Sequence, residues 1–162
     1  MVEAIKIQRI ISHLHITTIA ITETEAKILR DLLQESGSCL KHLSLKEIKV
    51  SDKVIQTICE GVVGSNSLKN LYLDKVDLTR DMASSISKMI LQAQELTSLS
   101  LCGDEIDQEK LDIILEFIPQ SKLSEIHLEN NNLNVYSAEN LYEKFKYHEH
   151  LRKLSIKQNY LG

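Results

Sequence analysis

One phrase of hydrophobic and polar positions recurs along the chain: an aliphatic residue, two polar positions, an aliphatic, one polar position, an aliphatic. Copies stand at Leu40-Leu43-Leu45, Leu68-Leu71-Leu73, Leu96-Leu99-Leu101, Leu123-Ile126-Leu128 and Leu151-Leu154-Ile156, at steps of 28, 28, 27 and 28 residues. A sixth copy is read at Ile16-Ile19-Ile21, 24 residues before Leu40. A period this constant predicts stacked units rather than a globule built around one centre.

Within a unit the pattern changes from alternation to helical spacing. Leu71-Tyr72-Leu73 alternates as a short strand with one buried face. Val76 and Leu78 carry the buried set around a turn, and Thr79 stands where a helix N-cap belongs. Met82, Ile86, Met89 and Ile90 then mark the apolar stripe of an amphipathic helix. Ser51, Asp107 and Asn134 open equivalent helices, and Thr22-Glu23-Thr24-Glu25 reads as a capping box for the first. The predicted stripes are Ile28, Leu29, Leu32 and Leu33; Ile55, Ile58, Cys59 and Val62; Leu111, Ile114, Leu115 and Ile118; and Ala138, Leu141, Tyr142 and Phe145. Gly61 and Gly64 loosen the end of the second helix, and Pro119 stops the fourth. Strands repeat at about 4.8 Å and helices at about 10 Å, so the stack bends with strands inside and helices outside.

These residues resemble the leucine-rich repeat pattern L-x-x-L-x-L-x-x-N/C-x-L, in the ribonuclease-inhibitor-like class whose units run to about 28 residues. The resemblance covers roughly residues 16 to 161. It implies an α/β fold: a right-handed horseshoe solenoid with parallel strands on the concave side and α-helices on the convex side. The family's turn asparagine falls at Thr24, Ile48, Val76, Asp104, Asn131 and Asn159, so only the last two units carry it and Asp104 is a substitute. A less regular turn is therefore expected in the N-terminal half.

Two parts are expected: a capping helix over residues 1–15, from Ile7, Ile10, Ile11 and Leu14, and a repeat domain over 16–162 of about six units, the last incomplete. The final strand leaves an unpaired edge, a template for association. Either the strand and turn suffice as a cap or the chain continues in something longer; the functional alternative is docking of a partner or self-association there.

The polar strand positions face the concave side. In order they are Thr18, Ala20 and Thr22; His42, Ser44 and Lys46; Asn70, Tyr72 and Asp74; Ser98, Ser100 and Cys102; Glu125, His127 and Glu129; Lys153, Ser155 and Lys157. Tyr72, Asp74, Glu125, His127, Glu129 and Lys157 are the candidate contacts with a protein partner; the bland alternative is a solvated face without a ligand. Neither tryptophan nor arginine stands at these positions, which makes the interface modest and polar.

Charge narrows the partner class. Lysine plus arginine number 19 against 23 aspartate plus glutamate, a net charge of −4 with both signs mixed, unlike the basic stripe of a nucleic-acid binder. No apolar run reaches the length of a membrane span, and no secretory signal pattern opens the chain. The three cysteines, Cys39, Cys59 and Cys102, have no CxxC spacing and imply a reducing, intracellular location.

Chemistry has one candidate constellation. Cys102 and His127 on adjacent strands, with Glu125 and Glu129 beside them, could activate a thiolate or hold zinc, but an open sheet supplies little desolvation. His13 and His15 would diverge on the expected helix, and His148 and His150 are likewise two apart. No phosphate loop, HExxH or GxSxG occurs, so neither cofactor nor catalytic or metal residues are assigned. The expected function is a non-enzymatic protein-binding scaffold in the cytoplasm, such as a sensing module of the innate-receptor type or a bacterial effector in host cytosol, for which the isoleucine- and lysine-rich composition is suited. The competing classes are a GTPase-activating regulator, for which Arg80 is the one candidate residue, an actin-capping regulator, and a small Cys/His enzyme.

Overall fold

The computed structural model describes residues 10–160. Six parallel strands, β1 (His13–Thr17), β2 (His42–Lys46), β3 (Asn70–Asp74), β4 (Ser98–Ser100), β5 (Glu125–His127) and β6 (Lys153–Ser155), form one sheet in sequence order. Helices α1 (Glu23–Gln34), α2 (Asp52–Val63), α3 (Arg80–Gln92), α4 (Gln108–Leu115) and α5 (Val135–Phe145) alternate with them. This is the expected right-handed α/β solenoid, with the sheet concave and the helices convex.

The register shows why the repeat specifies the stack. Leu43, Leu71, Leu99, Ile126 and Leu154 are direct partners along the sheet, so the second aliphatic of each phrase forms a single ladder. Leu43, Leu71, Leu99 and Ile126 are fully buried, and Leu154 is partly so. Burying each such side chain is worth about 1.5–3 kcal/mol. The helices begin at the expected caps: Thr79 Oγ1 accepts from Met82 N at 3.1 Å, Asp107 Oδ1 from Lys110 N at 2.9 Å and Asn134 Oδ1 from Ser137 N at 3.2 Å. At α1 the Glu25 carboxylate accepts from Thr22 N at 2.7 Å, which holds its pKa below the usual carboxylate value.

The first unit departs from expectation. Leu14 pairs with Leu43 and Ile16 with Leu45, so its phrase is Ile11-Leu14-Ile16, 29 residues before the next, and not Ile16-Ile19-Ile21. Residues 13–15 are strand, not helix; residues 1–9 of the expected capping helix lie outside the described residues. The bridge between Ala20 and Lys49 puts Ile19, not Thr24, at the turn-asparagine position, and Thr24 lies inside α1. The concave residues of this unit are therefore His13, His15 and Thr17 in place of Thr18, Ala20 and Thr22.

The missing asparagines do not loosen the N-terminal turns: one left-handed position recurs in every unit, and among the described residues only the third and fourth turns add a second, at Asp77 (φ 60°) and Glu105 (φ 50°). Thr18, Glu47, Lys75, Gly103, Asn130 and Gln158 occupy the same turn position, all with φ between 50° and 73°. The backbone ladder through Glu47 N to Asp74 O, Lys75 N to Cys102 O and Gly103 N to Glu129 O continues past the side-chain differences. Ile48 and Val76 fill the asparagine position as buried hydrophobes. Turn shape is set by the backbone, and the side chain decides only what lies beneath it.

Three local features also differ. The fourth helix ends at Leu115, and Ile118 is buried in a separate 3-10 turn, Ile118–Gln120, which contains Pro119. Tyr142 is 68% exposed; its counterparts Cys59 and Ser87 are buried, and no helix follows α5 among the described residues. Gly61 is an interior contact of α2: an added Cβ would stand 2.8 Å from Arg30 Cα and 3.0 Å from Leu33 Cδ1. Gly61→Ala should gain about 1 kcal/mol of helix propensity yet lose about 1–3 kcal/mol by wedging α1 from α2. A lower urea midpoint is the expected result, and a raised one would show that the two helices yield freely.

The concave face as candidate binding site

Each strand contributes alternate side chains to the concave face, and the parallel register arranges them in rows. One row runs His13, His42, Asn70, Ser98, Glu125, Lys153; the next runs His15, Ser44, Tyr72, Ser100, His127, Ser155. The third begins Thr17, Lys46, Asp74 and continues through the turn starts at Cys102, Glu129 and Lys157, as the backbone bonds flanking those residues require. Ser44, Ser98, Ser100 and Ser155 are buried, so the middle of the face is a shallow floor of hydroxyls.

The six candidate contacts divide into two groups across β4. Tyr72 and Asp74 lie on β3. Asp74 Oδ1 accepts from Ser100 Oγ at 2.6 Å and from Cys102 N at 3.1 Å, which turns its carboxylate toward the centre. Together with His13, His15, His42 and Lys46, Tyr72 and Asp74 line a cavity of about 410 Å³. Glu125 and His127 on β5, with Glu129 just beyond it, form the second group. Glu125 stands 3.5 Å from His127 Nε2 and 3.7 Å from Lys153 Nζ, and Glu129 accepts from Ser155 Oγ. Lys157 continues the third row next to Glu129. A second cavity, of about 480 Å³, opens on the convex side between α2 and α3, beside Cys59, Lys88 and Met89.

The Cys/His constellation is not assembled for nucleophilic chemistry. His127 lies opposite Ser100, one row from Cys102. Burial pushes the Cys102 thiol above its ordinary pKa; Asp74 and Glu129 push the same way, against the hydrogen bond with Ser100. A thiolate nucleophile needs the opposite shift. Cys59 is pushed further, to about 12, by burial and then by Glu60, as befits a small core residue. Among the described residues no group of three or more His, Cys, Asp or Glu could hold a metal ion. Arg80 opens α3 and pairs with Glu109 at 2.6 Å. No helix among the described residues is long and apolar enough to cross a membrane.

Sequence reasoning missed the histidines of β1. On a strand, residues two apart share a face, so His13 and His15 both join the concave surface instead of diverging. The His13 ring stacks on that of His42 at 4.0 Å with 7° between planes. Counting 29 residues back from Leu40 to Ile11 would have exposed the pair. His148 proves structural: its Nδ1 accepts from His150 N at 3.2 Å and Leu151 N at 3.0 Å, and its Nε2 meets Ser121 Oγ at 3.3 Å.

The turns hold a second buried polar set. Asn159 Oδ1 accepts from Asn131 N at 3.0 Å and Leu133 N at 3.3 Å. Asn131 Oδ1 accepts from Asp104 N at 2.9 Å and Ile106 N at 3.2 Å, while its Nδ2 donates to Leu101 O at 2.8 Å. Asp104 Oδ1 accepts from Val76 N at 2.6 Å, but its Oδ2 is buried without a partner. Burial raises the Asp104 pKa to about 7; the nearby Asp74 and Asp77 charges add to the rise, and backbone N–H groups of Val76 and Asp77 oppose it.

The repeat period, the parallel sheet and the outer helices define a leucine-rich repeat protein of the ribonuclease-inhibitor-like class. No family model matches the chain. Its relatives include NACHT, LRR and PYD domains-containing protein 5 of Bos taurus, 28% identical over 142 residues, which cover 86% of this chain and 13% of that protein. Human NACHT, LRR and PYD domains-containing protein 3 is 28% identical over 152 residues, covering 92% and 15%. The ribonuclease inhibitor of Sus scrofa is 23% identical over 152 residues, covering 92% and 33%. The chain thus spans between about an eighth and a third of the length of these relatives. Both kinds of relative are leucine-rich repeat proteins.

Proposed function

We propose that this chain is a protein-recognition module that grips its partner on the concave face through Tyr72, Asp74, Glu125, His127, Glu129 and Lys157. The observation that carries this reading is the open row structure: half-buried aromatic, imidazole and carboxylate side chains on a rigid sheet, beside a thiol held in its neutral form. Such a surface offers contact area and directional hydrogen bonds without a desolvated reaction chamber. The relatives with NACHT and PYD domains favour a sensing module inside the cell over a bacterial effector. The ion pair of Arg80 with Glu109 weakens the case for a GTPase-activating finger. Among the described residues β6 pairs with β5 alone, and its other edge is a secondary surface for self-association, beside the exposed Tyr142 and Tyr160.

The double variant Tyr72→Ala, Glu129→Ala tests the reading by affinity capture from lysate with quantitative mass spectrometry. Loss of an aromatic anchor and a carboxylate should lower capture of the principal partner about tenfold or more. Full capture by the variant would move the site to the helices or to the β6 edge.

A further inference from the structure

The N-terminal third of the concave face differs from the remainder in its cluster of histidines. His13, His15 and His42 line the cavity of about 410 Å³ with Lys46 and Tyr72. Lys41 stands next to His42 in the chain, and Ser12 Oγ binds His13 Nδ1 at 2.8 Å. Among the described residues the one carboxylate on the cavity wall, Asp74, is engaged by Ser100 and Cys102. Lys46 has no ion-pair partner among the described residues. Farther along, by contrast, Glu125 and Glu129 stand beside Lys153 and Lys157, and carboxylates and ammonium groups offset one another.

With neutral imidazoles the cavity holds one lysine against one aspartate. Protonation of an imidazole here adds a positive charge to a cavity whose described carboxylate, Asp74, is already engaged. Burial, and then the positive charges of His13 and Lys41, hold the His42 pKa below its ordinary value. Two imidazolium rings 4.0 Å apart repel each other, and a carboxylate set against them removes that repulsion.

We propose that this cavity is a pH-gated docking site for an acidic peptide segment, whose carboxylates meet His13, His15, His42 and Lys46 while its chain lies against the Tyr72 ring. The inference rests on the concave face being the binding face, and adds which end engages an acidic partner and under what condition. Because the anion binds the charged imidazoles, docking takes up protons and strengthens as pH falls.

The probe is a fluorescein-labelled octapeptide of alternating glutamate and serine, with a lysine-serine octapeptide as counterpart, followed by anisotropy at about pH 7.5 and pH 5.5 at fixed salt. The glutamate peptide should bind about tenfold tighter at the lower pH, and His42→Gln and Lys46→Gln should each weaken it about three- to tenfold there. Circular dichroism of both variants establishes that they are folded. Affinity independent of pH, no binding at either pH, or binding untouched by both substitutions overturns the proposal. Binding of the lysine peptide alone, lost in Glu129→Ala, overturns it too while sparing the concave-face reading. Unchanged partner capture by the Tyr72→Ala, Glu129→Ala variant would remove that broader reading itself.

Discussion

Replacing Asp104 with asparagine is expected to stabilise the protein at about pH 8 by on the order of 2–4 kcal/mol, and to change little at about pH 4. The cause is a carboxyl group in a site built for an amide. Asn131, one unit later, accepts two N–H groups with its oxygen and donates from its nitrogen to Leu101 O. Asp104 accepts with Oδ1 but leaves Oδ2 buried and unpartnered. The repeat makes Leu73 O the counterpart of Leu101 O, so only a protonated Oδ2 can supply the missing donor. The folded pKa is about 7 against 3.8 for a free aspartate carboxyl, so the folded form retains a proton that the unfolded chain has lost between those values. Asp104 contributes its full stability below about pH 4, and that contribution falls as pH rises and is gone above about pH 7. Asparagine carries its donor at every pH. Urea midpoints of both proteins should therefore diverge across that window and run parallel above it. A constant difference from about pH 4 to pH 8 would show that Asp104 does not titrate as its burial requires.

The opposite change has the opposite sign. Asn131→Ala should destabilise the protein by roughly 3–5 kcal/mol, because it strips partners from two amide N–H groups and a carbonyl and leaves a cavity. Asp104 N and Ile106 N lose their side-chain acceptor, and Leu101 O loses its Nδ2 donor. Hydrogen exchange localises the effect: the amides of Asp104 and Ile106 should lose protection well beyond any change at Ile55 in α2. Equal loss at Ile55 would mean that the units unfold as one block and the amide has no local role. The two substitutions concern adjacent rungs, so their effects should not add.

The chain announced its architecture because five copies of the aliphatic phrase fall at one spacing, and each aliphatic of the ladder has the same neighbour above and below. The first unit was harder to frame. Ile16 belongs to both candidate phrases, and Ile19 and Ile21 satisfy the pattern as well as Ile11 and Leu14 do. Only pairing with β2 distinguishes them. That single shift hid His13 and His15 from the concave face. The six candidate contacts could be placed because alternation along a strand is strict, but their division across β4 depends on cross-strand register. Tyr142 was read as core because helical spacing identifies a stripe without saying whether a neighbour covers all of it. Gly61 was read as a helix end because local sequence carries no record of the Arg30 backbone lying against it.

Asp104 sits on the fourth of six turns, between units joined on one side by asparagine side chains and on the other by buried aliphatic ones. A linear array parts at its weakest junction. Ionisation of Asp104 weakens one junction, that between the third and fourth units, and so shifts the preferred plane of parting toward the interior of the array.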